Sequence, residues 1–179
     1  LSSVLPDSMD LVFQGDLNIE GPEETGLTFI ENAILKARHA SHQSGLPAIA
    51  DDSGLEVDFL KGSPGIYSSR YAGADASDSD NNLKLLSALK GVPEADRTAR
   101  FRCVIVYMKH EADPMPLIAS GTWEGTILDA RRGINGFGYD PLFYIPSLKK
   151  SAAELQDFEK NEIGHRGQAL IQLCNILAG

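Results

Sequence analysis

Apolar and small residues recur at helical spacing over residues 28–44, where Ile30, Ala33, Ile34, Ala37 and Ser41 form one stripe. Thr28 and Glu31 have the spacing of a capping box, and Gly45 with Pro47 supplies the stop, so the pattern predicts a helix. Pro47 to Ala50 reads as a short strand that runs into Asp51-Asp52-Ser53-Gly54. Beyond it Leu55, Val57 and Phe59 alternate with Glu56 and Asp58, the signature of a half-buried strand. Residues 62–76 read as a Gly/Pro-rich loop holding Arg70 and Tyr71. A second helix is predicted over 78–90, N-capped by Ser77, with Leu83, Leu86 and Leu89 as its buried face.

The second half of the chain is richer in strands. Residues 99–109 make a long apolar strand, and Phe101 to Met108 has the composition of a strand buried on both faces. Residues 116–129 predict one or two strands of a meander, with Gly121 or Gly125 at a bulge or bend. A glycine-rich loop over 131–141 precedes a strand at Leu142 to Ile145. Ser151 and Glu154 cap a short helix, and residues 167–178 form the last one. Residues 1–26 hold only a weak signal, a short strand at Val12 and Phe13. Helices and strands alternate early and strands cluster later, which predicts α/β architecture with a mixed central sheet.

At 179 residues, with 42% hydrophobic and 23% charged residues, the chain has ordinary globular composition. Cys103 and Cys174 lie in apolar runs and read as small core residues of a reducing compartment. No apolar run approaches the roughly 20 residues of a membrane span. The net charge of −9 argues against a broad basic face for nucleic acid. The expectation is a cytoplasmic chain with neither membrane nor nucleic acid as partner. Residues 1–66 hold eleven acids and three bases, net −8, against fourteen and thirteen, net −1, in residues 67–179. That asymmetry suits a metal on one side of a site and an anion on the other, or simply a solvated acidic surface.

Four stretches offer chemistry. Asp51 and Asp52 follow an apolar strand and point to opposite faces, so they serve different roles; one could hold a hard cation such as Mg²⁺, or both could serve an Asx-turn. Glu23-Glu24-Thr25-Gly26 precedes the first helix, as a dipole partner or as a second carboxylate for the same cation. The loop Gly133 to Pro141 has three glycines and two aromatics, which suits close approach of a ligand and stacking of a flat base, or a turn with core aromatics. Lys160, His165 and Arg166 place three donors within seven residues, for phosphate oxygens or base carbonyls, or as cap decoration. His39 and His42 read as solvated histidines rather than a metal pair.

These stretches together resemble the inosine triphosphate pyrophosphatase, or Ham1-like, family. The resemblance rests on Glu24-Thr25-Gly26, Thr28-Phe29, Glu31-Asn32-Ala33, Lys36-Ala37, Ala50-Asp51-Asp52-Ser53-Gly54-Leu55, Pro64-Gly65, Ser69-Arg70-Tyr71-Ala72-Gly73, Gly136 to Pro141, Glu159-Lys160 and His165-Arg166. It implies two lobes around a long mixed sheet flanked by helices, with the active site in the cleft between them. It further implies Mg²⁺-dependent hydrolysis of ITP, dITP and XTP to monophosphate and pyrophosphate by a homodimer. Asp52 would then be the water-activating base and a metal ligand, and Glu23 the second metal ligand. Ser53, Phe137, Gly138, Tyr139, Asp140, Lys160, His165 and Arg166 would contact substrate. Family members open with a strand and a Ser/Thr-x-Asn-x-x-Lys loop that nothing before Glu23 matches. The sequence also starts at Leu1 rather than Met, so residues 1–179 are expected to be one such domain short of that segment. Gly164 replaces a serine frequent in the family. The alternatives are a nucleotide sensor without catalysis, or a pyrophosphatase for other modified nucleoside triphosphates.

Overall fold

The computed structural model describes residues 10–178. The start of the stretch 1–26, and with it both ends of the domain expected over 1–179, lies outside the described residues. The chain is α/β, with helices α1 (Phe29–Ser44), α2 (Asp78–Ala88), α3 (Asp157–Ile163) and α4 (His165–Ala178). Strands β1 (Ala48–Val57), β2 (Thr98–Met108), β3 (Leu117–Ile127), β4 (Phe143–Ile145) and β5 (Lys150–Ser151) form a sheet in chain order. β3 pairs antiparallel with β4, with Thr126 opposite Tyr144, and β4 pairs antiparallel with β5.

The chain divides into two compact units. The first comprises residues 1–52, 103–121 and 166–179, and the second residues 53–102 and 122–165. In the first unit the long apolar strand is covered on both faces, as its composition predicts. Cys103 and Ile105 pack with Ala169, Leu170 and Leu173 of α4, while Val104, Val106 and Met108 pack with Ala33 and Ala37 of α1. In the second unit Leu55, Val57, Phe101, Trp123 and Phe143 form a core with Leu85 of α2 and with Leu89, which caps that helix. The opposite face there is polar: Arg100 pairs with Asp58 and Glu124, and Arg102 with Glu56.

Helix α1 starts as predicted. Thr28 accepts from the Glu31 amide at 3.2 Å, the Glu31 carboxylate accepts from the Leu27 amide at 2.8 Å, and Gly45 closes the helix at φ 69°. Its stripe is shifted, however: Ile30 is exposed, and Asn32 joins Ala33, Ala37 and Ser41 in the interior. Helix α2 differs in part: Leu83 is exposed and Asn81, Asn82 and Leu85 are buried, while Leu86 packs against the core and Leu89, just past the helix end, is fully buried as expected. In both helices an asparagine displaces a leucine or isoleucine because its amide meets buried backbone or carboxylate groups that an apolar side chain would leave unpaired.

Other expectations are corrected. Val12 and Phe13 lie outside any strand, Phe13 is exposed, and a 3₁₀ turn follows at Gln14–Leu17. Phe59 is exposed in a 3₁₀ turn, and the loop over 62–76 contains a further one, Gly65–Arg70. β3 is one strand; Gly125 is needed because a Cβ would come within 2.6 Å of the Phe143 ring. The last helix begins at His165, and α3 precedes it, with the Glu159 carboxylate accepting from the Gln156 amide at 2.8 Å. That Gln-x-x-Glu spacing is the start signal of α3.

Candidate active site

The hydrophobic pattern predicts a strand that ends at Ala50, with the two aspartates beyond it. Instead β1 runs unbroken through Asp51 and Asp52 to Val57, which removes the Asx-turn alternative. A strand tolerates adjacent carboxylates when each finds a counter-charge on its own face, and both do. Asp51 accepts from Arg166 Nε at 3.1 Å. Asp52 accepts from Lys36 Nζ at 2.8 Å and from Asn32 Nδ2 at 3.4 Å. Asn32 and Lys36 are four residues apart on α1, so they sit one turn apart on the face that meets β1.

Glu24 completes this cluster, because Lys36 Nζ lies 2.9 Å from its carboxylate. Asn32 also fixes the approach of this segment: its Oδ1 accepts from the Gly26 amide at 2.8 Å. A Cβ on Gly26 would lie 2.6 Å from that oxygen, so only glycine lets the loop close here. Glu23, the acid named by the resemblance, is exposed one position earlier. Asp52 is only 7% exposed. Burial raises its pKa above the ordinary aspartate value and the nearby Glu24 adds to that, against the pull of Lys36 and Asn32. Burial of Lys36 works to lower its pKa, but the two flanking carboxylates outweigh this and hold the ammonium charged. Within the cluster one ammonium thus serves two carboxylates.

The glycine-rich loop belongs to the second unit. Phe137 is 58% exposed, whereas Tyr139 and Asp140 are buried. Asp140 accepts from the Phe137 amide at 2.9 Å and from Lys160 on α3, whose ammonium also lies over the Phe137 ring, 4.7 Å from its centroid. Gly136 has φ 75°, and a Cβ there would collide with the Asp140 carboxylate. Helix α2 grips Gly138 from both sides: Gly138 N–H donates to Asp78 at 2.6 Å, and its carbonyl accepts from Asn82 at 2.7 Å. The Tyr139 hydroxyl donates to the Ser68 carbonyl at 2.8 Å, and burial pushes its pKa up.

The predicted site residues thus fall into separate groups. Lys160, Phe137, Gly138, Tyr139 and Asp140 come together. Asp52 joins Lys36, Asn32 and Glu24, and Arg166 joins Asp51. Ser53 is half-buried in β1. His165 is buried, stacked 4.8 Å from the Phe101 ring and 6.4 Å from Trp123. His42 meets Glu111, and His39 contacts the Glu20 carbonyl at 2.9 Å. Asn32 and Lys36 enter the sequence reading only as part of the resemblance, with no site role, and Asp78 and Asn82 have no site role there either. The first two were findable from their four-residue spacing ahead of a paired aspartate; the latter two carry no local signal.

A buried carboxylate that shares one ammonium with a second carboxylate is equipped to hold a hard cation and to accept a proton from water. Such a cluster has the chemistry of a hydrolase class of site. Sequence comparison agrees: the Ham1 family profile matches residues 2–176, and the chain belongs to that family. It is 61% identical over 178 residues to a dITP/XTP pyrophosphatase of Yersinia pseudotuberculosis, spanning 99% of this chain and 90% of that protein. To a dITP/XTP pyrophosphatase of Vibrio parahaemolyticus it is 57% identical over 174 residues, 97% of this chain and 87% of that one. The solved structure of a HAM1 protein from Coxiella burnetii superposes with a TM-score of 0.87 at 55% identity, covering 92% of this chain and 84% of that one. Among the described residues no helix is long and apolar enough to cross a membrane.

Proposed function

We propose that this chain hydrolyses deaminated purine nucleoside triphosphates, ITP, dITP and XTP, to the monophosphate and pyrophosphate, as a cytoplasmic homodimer that uses Mg²⁺. The observation that carries the reading is the Asp52–Lys36–Glu24 cluster, in a chain 61% identical to a protein named for this activity.

The oxygen-only donor set fits Mg²⁺. Among the described residues no group of three or more His, Cys, Asp and Glu is placed to hold a metal. Mg²⁺ needs only one or two carboxylates, with water and substrate phosphates filling the rest. Asp52 would hold it together with an acid of the Glu23–Glu24 pair; the resemblance favours Glu23 and the geometry favours Glu24. Bound there, the ion would neutralise phosphate charge. Asp52 orients the attacking water and takes its proton. The water oxygen bonds to the α-phosphorus as the bond to the bridging oxygen breaks, and pyrophosphate leaves with that electron pair. The raised pKa makes Asp52 a stronger base than an ordinary aspartate. Recognition of the base falls to the loop over 136–140, where the exposed Phe137 ring stacks it, with Lys160 and Arg166 as donors and Ser53 as a further contact.

Product identity tests the reading. Incubation with ITP and Mg²⁺ should release pyrophosphate and IMP, and EDTA should abolish turnover. Release of orthophosphate with IDP, or full turnover in EDTA, would refute it. A protein that binds ITP without cleaving it would instead be a sensor.

A further inference from the structure

The Asp52 cluster already contains a cation. Lys36 Nζ lies 2.8 Å from Asp52 Oδ1 and 2.9 Å from Glu24 Oε1, and its side chain is only 25% exposed. An ammonium is a compact point charge, so two of its three N–H donors occupy the oxygens that a divalent ion would take. We propose that Lys36 is the resident counter-cation of the metal site, so that a divalent ion reaches Asp52 and Glu24 only by displacing its ammonium. This rests on the metal reading above and adds a consequence to it. The protein should hold the ion weakly alone, because each binding event must first break both ion pairs. Two carboxylates with no cation between them would repel each other in a buried setting, and Lys36 keeps them converged until the ion arrives. Asn32 supports the arrangement from the same helix, tying Gly26 to Asp52 through its two amide ends.

The test is Mn²⁺ binding to the full chain without nucleotide, read from the electron paramagnetic resonance signal of free Mn²⁺ at about 0.15 M salt, where distant charges are screened. Lys36→Met should tighten the Kd about tenfold or more, since it removes a competitor held by charge-assisted hydrogen bonds. Lys36→Gln should shift it in the same direction, which carries the test if the methionine variant folds poorly. Arg38→Met removes an equal charge from the exposed side of α1, where Arg38 Nε donates to the Glu111 carbonyl at 3.0 Å. It should change the Kd less than about twofold. An unchanged Kd in both Lys36 variants would overturn the proposal, as would an equal tightening by Arg38→Met. If Asp52→Asn binds Mn²⁺ as well as the unmutated protein does, the metal reading itself fails and the proposal falls with it.

Discussion

Asp52 and Asp140 look alike at first sight: each is buried, and each meets one lysine ammonium. The difference lies in the count of charges. Asp140 has Lys160 to itself and also accepts from the Phe137 amide, so the pair is neutral and closes its own loop. Asp52 shares Lys36 with Glu24, so here one ammonium serves two carboxylates. A neutral, internally satisfied pair fixes structure. A buried carboxylate that shares its counter-cation with a second carboxylate is placed to take a cation or a proton, which is how perturbed carboxylates mark reactive sites.

Substitution separates the two. Asp52→Asn should cut kcat by roughly 10²–10⁴, the range for loss of a general base, while the fold survives. The sign follows from linkage: folding raises the Asp52 pKa, so the ionised form disfavours the fold once pH exceeds that pKa, and removing the charge at pH 7 should not lower Tm. Near-normal kcat at normal Tm would remove Asp52 from the chemistry. Asp140→Ala should show the opposite balance. Stranding the Lys160 ammonium should cost about 3–5 kcal/mol and lower Tm by roughly 6–20 °C. A calorimetric Tm within a degree of the parent would mean the pair is not structural.

Smaller effects sharpen the same contrast. Asn82→Ala leaves the Gly138 carbonyl without its α2 partner, at a cost of about 1–3 kcal/mol. Because the base loop loosens, KM for ITP should rise more than kcat falls; an unchanged KM would detach α2 from recognition. The exposed Asp58–Arg100 pair marks the weak end. Arg100, followed by Thr98, holds the Asp58 pKa down to about 2, but the Asp58 side chain is 45% exposed. Solvent reduces such a pair to about 0–1 kcal/mol. Its stabilisation is fully present above the ordinary carboxylate pKa and is lost as pH falls through about 2. The Tm gap between parent and Asp58→Asn should therefore be small at pH 7 and vanish toward pH 2, and a gap that widens on acidification would contradict the sign.

Local signals explain which features the sequence revealed. The Thr28–Glu31 box, the Gly45 stop and the continuous run from Phe101 to Met108 depend on neighbours in sequence, so α1 and β2 were legible. Asp52 stood out because paired carboxylates after an apolar run are rare. The strand's continuity was hidden because Lys36 and Arg166, which neutralise its two aspartates, are distant in sequence. The choice of Glu24 over Glu23 as partner of Lys36 depends on one peptide's orientation, which Asn32 sets through Gly26. Helix faces were misread where Asn32 and Asn82 turn inward, since polar residues do not register in an apolar stripe.

Base selection tests the central claim most directly. Inosine and xanthine carry a carbonyl at purine position 6, whereas adenine carries an amino group, and Lys160 and Arg166 are donors only. Sites built on such bonds reject the wrong partner by about 10⁴–10⁵, whereas a single added group such as the guanine 2-amino is rejected by about 10². The measurement is kcat/KM for ITP, XTP, GTP and ATP with Mg²⁺, with pyrophosphate as the product followed. The account predicts ITP and XTP far above ATP, with GTP between them. ATP within tenfold of ITP would contradict it.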